Sequence, residues 1–391
     1  MKKNKFLIIW EFLIVIIIIS IFGMTIITAL EVLGFVTIPE QYSLTRFLKT
    51  SSEITTTEYS NIIKDYSDID IEPTASDADW NYTVEMPEEI QNIYNEPNKQ
   101  ENGNFVNKKY YYSQLDEYGK IIYDKMYSNI EKLKTGTFIV RYNTEFNDLL
   151  QREDGAKILE NAFQSSLNAL IYDNPEIFYL DITKMYLYTE TTTIVVKKTY
   201  KIFIGPEDGQ NYYAEGFNSK EDVDLAINQV QEKANQIISN LSGTDYNKIR
   251  TIHDYLIDNI QYDQTISMPN IYNMYGALVN GVTVCEGYAK AFKYILDNIG
   301  MECIFVCGTG INSNSDSESH AWNYVKLSDE WYAVDVTWDD PIIVGGGMLT
   351  NSHRYKYLLK GSNEFRKDHI EDGNIIEGVQ FYYPALNVNN Y

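Results

Sequence analysis

Val284-Cys285-Glu286-Gly287-Tyr288-Ala289-Lys290-Ala291-Phe292 opens an amphipathic run in which Tyr288, Phe292, Ile295, Leu296 and Ile299 recur at helical spacing, and Gly300 stops it. Cys285 therefore falls at a helix N-terminus, where unpaired backbone N–H groups and the macrodipole favour the thiolate, the nucleophilic form of the side chain. Such a nucleophile needs a base, and the base needs an orienting group. Downstream lie a buried strand over residues 303–308 and a polar loop over 312–319. Then come Ser319-His320-Ala321-Trp322-Asn323-Tyr324-Val325 and Trp331-Tyr332-Ala333-Val334-Asp335-Val336-Thr337-Trp338. Both blocks are rich in aromatic and β-branched residues and flank Ser328-Asp329, so they predict a β-hairpin. A two-residue turn sets Leu327 opposite Glu330 and Asp335 opposite Trp322, which places His320 diagonal to Asp335 on one face.

The Cys, His and Asp blocks, in this order and at this spacing, resemble those of the transglutaminase-like superfamily in the form common in Gram-positive bacteria. Ile252-His253-Asp254-Tyr255-Leu256 and Ile260-Gln261-Tyr262-Asp263 resemble its lead-in helix. The resemblance covers residues 245–359 and implies an α+β, papain-like core, its Cys-bearing helix packed on an antiparallel sheet, with a catalytic triad of Cys285, His320 and Asp335. Transglutaminases, peptidases, amidases and inactive relatives share these blocks, so the resemblance defines the chemistry of the thiol more closely than the substrate.

Composition sets outer limits. The chain has 391 residues, 44% of them hydrophobic and 14% aromatic, enough for two domains with their own cores. A net charge of −23 without clustered Lys or Arg excludes nucleic acid as a partner. Three cysteines are too few for a disulfide framework. Cys303 and Cys307, on one strand, would stand about 13 Å apart at ~3.3 Å per residue, and are expected as small buried apolar residues. A zinc site from Cys285, Cys303, Cys307 and His320 lacks the recurring His spacing, so neither metal nor cofactor is expected.

In chain order, residues 1–5 form a basic cytoplasmic tail. Residues 6–30 are an apolar run long enough to span a bilayer, with the N-terminus inside and the remainder outside the cell. Residues 31–105 are a largely disordered acidic spacer. Residues 106–215 are a smaller α/β accessory domain, with helices to Lys134 and over 156–172 and strands over 137–140, 185–189 and 192–204. Residues 216–391 form the catalytic domain, with helices over 219–241 and 245–260, the Cys285 helix, the hairpin and a final strand at 355–359. His253 is expected to be structural, His353 and His369 to lie at the surface or in loops, and Asp339 and Asp340 to cap a turn before Pro341.

These expectations describe a membrane-anchored extracellular cysteine-dependent acyl transferase or hydrolase acting on peptide or Gln side-chain amides through a thioester. Its substrate is a protein or cell-wall peptide, with an amine as co-substrate if transfer outruns hydrolysis. The backbone N–H of Cys285 supplies one oxyanion donor; the second is unassigned, Tyr275 and Asn280 lying upstream at suitable places without a motif that marks either. The alternative is a catalytically silent binding or scaffold module at the cell surface.

Overall fold

The computed structural model describes residues 50–58, 109–194, 197–311, 317–340, 351–376 and 379–391. The expected membrane helix, most of the spacer and the glycine run at 345–347 lie outside the described residues. Among the described residues no helix is long and apolar enough to cross a membrane.

The first sheet contains β1 (Thr50–Glu58), β2 (Val140–Tyr142), β3 (Tyr186–Ile194) and β4 (Lys197–Gly205), antiparallel in the order β1-β3-β4-β2. β1 lies within the stretch expected as a largely disordered spacer. Its sequence, TSSEITTTE, carries only two acids and four threonines, whose β-branched side chains suit a strand, and it pairs along the whole of β3. Two helices cover this region. In α1 (Glu117–Ser128) the Asp116 carboxylate caps the Gly119 N–H at 2.6 Å, and Ile122, Tyr123 and Met126 are buried. α2 (Gly155–Asp173) ends on Asp173, whose two carboxylate oxygens accept the N–H groups of Tyr111 and Tyr112, each at 2.9 Å.

The helices α3 (Lys220–Ile238) and α4 (Asp245–Asn259) start at the hydroxyl caps Ser219 and Thr244. Next come two short parallel strands, β5 (Gln261–Tyr262) and β6 (Val282–Thr283), and then α5 (Cys285–Asn298). The second sheet joins β7 (Cys303–Ile311), β8 (Ser317–Leu327), β9 (Glu330–Val334) and β10 (His369–Glu371), antiparallel in the order β10-β7-β8-β9. Residues 355–359, expected as the final strand, form turns instead. One bridge, Ala333 to Lys360, ties them to β9, and β10 takes the outer position of the sheet.

α5 lies across β7 and β8 with Phe292, Ile295 and Leu296 fully buried. Asn323 on β8 locks the helix to the sheet, its amide donating to the carbonyls of Ala289 at 3.0 Å and Ile304 at 3.3 Å. Gly287 accounts for the Cys-Glu-Gly order. A Cβ there would lie 1.8 Å from Thr283 Oγ1 and 2.9 Å from two backbone oxygens, so only glycine lets the first turn of α5 press against the chain that precedes it. A single cluster of buried residues runs from Tyr110 to Leu386, and the Tyr111 hydroxyl donates to the Phe305 carbonyl. The accessory region and the second sheet thus share one apolar core.

Candidate active site

The hairpin has the expected register. Leu327 faces Glu330 and Asn323 faces Val334, while Ser328 and Asp329 adopt φ of 55° and 64°, the two left-handed residues of a type I′ turn. His320 stands on β8 and Asp335 directly follows β9. The His320 Nε2 lies 2.7 Å from Asp335 Oδ2, and the other carboxylate oxygen accepts the N–H groups of Thr337 at 3.0 Å and Trp338 at 3.1 Å. His320 is 4% exposed and Asp335 0%. The Trp338 indole stacks on the imidazole at 5.0 Å between ring centres, 26° from parallel.

Cys285 is the first residue of α5, half-buried against Ala289, Phe305 and Ala321. Cys285 lies near enough to His320 to help hold the proton on its ring. With Nε2 engaged by Asp335, Nδ1 is the nitrogen left for the sulfur. Burial alone would strip the His320 proton, but the Asp335 charge and hydrogen bond, with Cys285 beyond, outweigh it and push the imidazole well above its ordinary value. The counterpart is Asp335. Burial opposes its ionisation, and the charges and hydrogen bonds of His320 and His369 overcome that and hold it well below the usual carboxylate range. Burial pushes the thiols of Cys303 and Cys307 far up, so both stay protonated; Cys303 is buried as expected, while Cys307 is half-buried beside the Tyr172 hydroxyl.

The remaining candidates separate cleanly. His353 is exposed, as expected. His253 is structural, with Nε2 3.0 Å from Asp339 and Nδ1 3.2 Å from Asp254. Asp339 is more than a turn cap: fully buried, it also accepts the Tyr357 N–H, while Asp340 accepts the Tyr288 hydroxyl at 2.6 Å. Tyr275 gives its hydroxyl to Gln229 at 3.0 Å and stacks on Phe178, and Asn280 is exposed before Gly281. Tyr262 is raised first by burial and next by Cys285; it sits on β5 opposite Thr283, two residues before the cysteine.

His369 departs most from expectation. Far from being a surface residue, it is 1% exposed on β10 opposite Gly310, with its Nε2 3.0 Å from the same Asp335 oxygen that His320 engages. No local pattern announced it, because a three-residue strand paired to a distant partner leaves no periodicity. Its only signal is the Asp-His pair. The donor atoms of His320, Asp335 and His369 lie within 4.8 Å of one another, and the hydrogen bonds joining them satisfy the shared oxygen without a cation.

Residues 231–336 match the family model of the transglutaminase-like superfamily. Kyphoscoliosis peptidase of Mus musculus and that of Homo sapiens are each 28% identical over 169 residues, 39% of this chain and 25% of theirs, so the chain spans a quarter of the length of these curated relatives. A crystal structure of a TGase is 12% identical, covering 42% of this chain and 46% of that one at a TM-score of 0.27.

Proposed function

We propose, from membership of the transglutaminase-like superfamily over residues 231–336, that this chain is a cysteine-dependent acyl transferase or hydrolase acting on peptide or Gln side-chain amides. The observation that carries the proposal is the His320–Asp335 pair at 2.7 Å beside Cys285, whose sulfur stands at the first turn of a helix and helps hold the His320 proton. The thiolate attacks the amide carbonyl carbon. The Cys285 N–H at the start of α5 faces the oxyanion that develops, and the His320 proton passes to the departing nitrogen as the C–N bond breaks. Water or a primary amine then attacks the thioester carbonyl, giving one proton to His320, and the C–S bond breaks to release the Cys285 thiolate beside the imidazolium. Asp335 fixes the ring orientation and stabilises the imidazolium. Trp338, stacked on His320, covers one face of the ring and limits water there.

We extend the proposal to location: the apolar run at 6–30 anchors the enzyme in a membrane with the folded part outside the cell, which the run and its preceding lysines support. The chemistry is tested by incubating the full chain with a Gln-containing protein and a labelled primary amine while following ammonia and new peptide ends. Amine incorporation identifies a transglutaminase, and new termini without incorporation a peptidase. No product from wild type above that from Cys285→Ala would overturn the enzymatic reading in favour of a binding module.

A further inference from the structure

We infer that His369 is a positioning residue for this chemistry, a second imidazole that holds Asp335 from the side away from the thiol and weakens the grip of His320 on its proton. The inference rests on the Cys285–His320–Asp335 reading. Asp335 Oδ1 is committed to two backbone N–H groups, so Oδ2 alone serves both imidazoles, His320 at 2.7 Å and His369 at 3.0 Å. The second nitrogen of His369, Nδ1, lies 2.8 Å from Asp368 Oδ1. A neutral imidazole has one N–H to give, and here two carboxylates ask for one each. Asp368 is ionised: burial would raise it, but hydrogen bonds from His369 and from the Tyr357 hydroxyl, the latter 2.7 Å from its other oxygen, hold it below its ordinary range. Each ring nitrogen of His369 thus stands against its own carboxylate, Nε2 on Asp335 and Nδ1 on Asp368.

The rings around His369 agree. Phe365 stacks on it at 3.9 Å and 22°, Trp338 lies at 4.4 Å, and Trp322 and Tyr357 meet it edge-on, each at 5.1 Å. These rings fix the plane of the imidazole and hold its two nitrogens on their carboxylates. The charged and titratable groups facing His369 are Asp335, Asp368, His320 and Tyr357, with Lys356 beyond, 3.8 Å from Asp368.

The consequence is electrostatic. A carboxylate oxygen that serves one imidazole holds that proton tightly, whereas an oxygen shared with a second ring nitrogen holds each less tightly. In the acylation step His320 must release its proton to the leaving nitrogen, so a less retentive Asp335 favours the general acid.

The test uses the full chain, whose four histidines give few ring signals. The His320 titration is followed by NMR in wild type and in His369→Phe, which keeps an aromatic ring against Phe365 and removes the nitrogen that shares the Asp335 oxygen. The expected result is a His320 proton bound about tenfold more tightly in the variant, a titration moved up by about one pH unit. A His320 titration that does not move, or moves down, overturns the inference. Should the Phe variant fail to fold, His369→Leu, which also lacks that nitrogen, is read the same way. Separately, the rate of Cys285 alkylation by iodoacetamide is compared in wild type and His320→Ala. If that rate is indifferent to His320, the Cys–His reading itself fails; if it depends on His320 while the titration ignores His369, only this inference does.

Discussion

His320 and His253 are both buried, and each gives its Nε2 to a buried aspartate, 2.7 Å from Asp335 and 3.0 Å from Asp339. Both aspartates also accept backbone N–H groups, from Thr337 and Trp338 in one case and from Tyr357 in the other. The difference lies at Nδ1. That of His253 faces Asp254, a carboxylate held in turn by Arg354 and Tyr355, so the ring ties α4 to the segment at 354–357. That of His320 has no second carboxylate partner among the described residues and is left for Cys285, the helix N-terminal residue whose thiol helps hold the ring proton. A histidine between two fixed acceptors is a clasp, and a histidine between a carboxylate and a nucleophile can move a proton. The His–Asp pair alone therefore does not identify a catalytic group in this molecule.

The comparison breaks first on the sulfur. Cys285→Ala is expected to reduce turnover to background while leaving the melting temperature within about 2 °C, since the half-buried site loses one small atom. Activity and a thermal melt on the same sample check it. His320→Ala is expected to cost about 10²–10⁴-fold in kcat, the usual contribution of a positioned acid–base group, and at most a modest loss of stability. His253→Gln should invert that pattern, with kcat within about twofold and roughly 1–3 kcal/mol lost in denaturant unfolding, because Asp339 is left buried with an impaired partner. If His253→Gln cost kcat as much as His320→Ala, the distinction between clasp and base would fail.

pH sharpens the same contrast. Burial opposes the His253 charge, but the hydrogen bonds to Asp254 and Asp339 outweigh it and raise the ring, while burial raises Asp339 to about 6. Both groups bind protons more tightly folded than unfolded. The His253 contribution is therefore fully present below its unfolded value of about 6.5 and is lost as pH rises through the folded one. The stability gap between wild type and His253→Gln should be widest in mild acid and should narrow towards alkaline pH. Urea unfolding at several pH values measures it, and a gap that widens above neutrality would reverse the assignment.

Much of this was legible from local pattern. The α5 stripe, the Ser328-Asp329 turn and the register that joins His320 to Asp335 are all set by residues within a few positions of one another. The strand β1 was hidden by a polar composition shared with its surroundings. The segment at 355–359 has a strand-like composition but is fastened through the buried Asp339 carboxylate and the Tyr357 N–H, a long-range bond with no local trace. His369 was hidden for a related reason, since β10 reaches Asp335 only because it pairs with β7. The family blocks supplied the nucleophile, base and orienting acid, and the second imidazole required the sheet.

The smallest expected effect concerns the turn that sets the register. Ser328 and Asp329 both adopt positive φ, which non-glycine residues do at a cost and which Asn-Gly accommodates best in a type I′ hairpin. Ser328→Asn combined with Asp329→Gly is expected to stabilise the fold by about 0.5–1 kcal/mol, read as a shift in the denaturant midpoint at unchanged slope. Turnover should not change, because the Leu327 to Glu330 and Asn323 to Val334 pairs, and with them the His320 to Asp335 distance, depend on a two-residue loop and not on which residues fill it. Removing a residue from the loop would shift β9 by one and turn its side chains to the opposite face, Asp335 with them. A gain in stability accompanied by a loss of activity in the Asn-Gly variant would mean that the native turn holds the carboxylate in a strained position that the chemistry uses, and the hairpin would then belong to the site as much as the two side chains it carries.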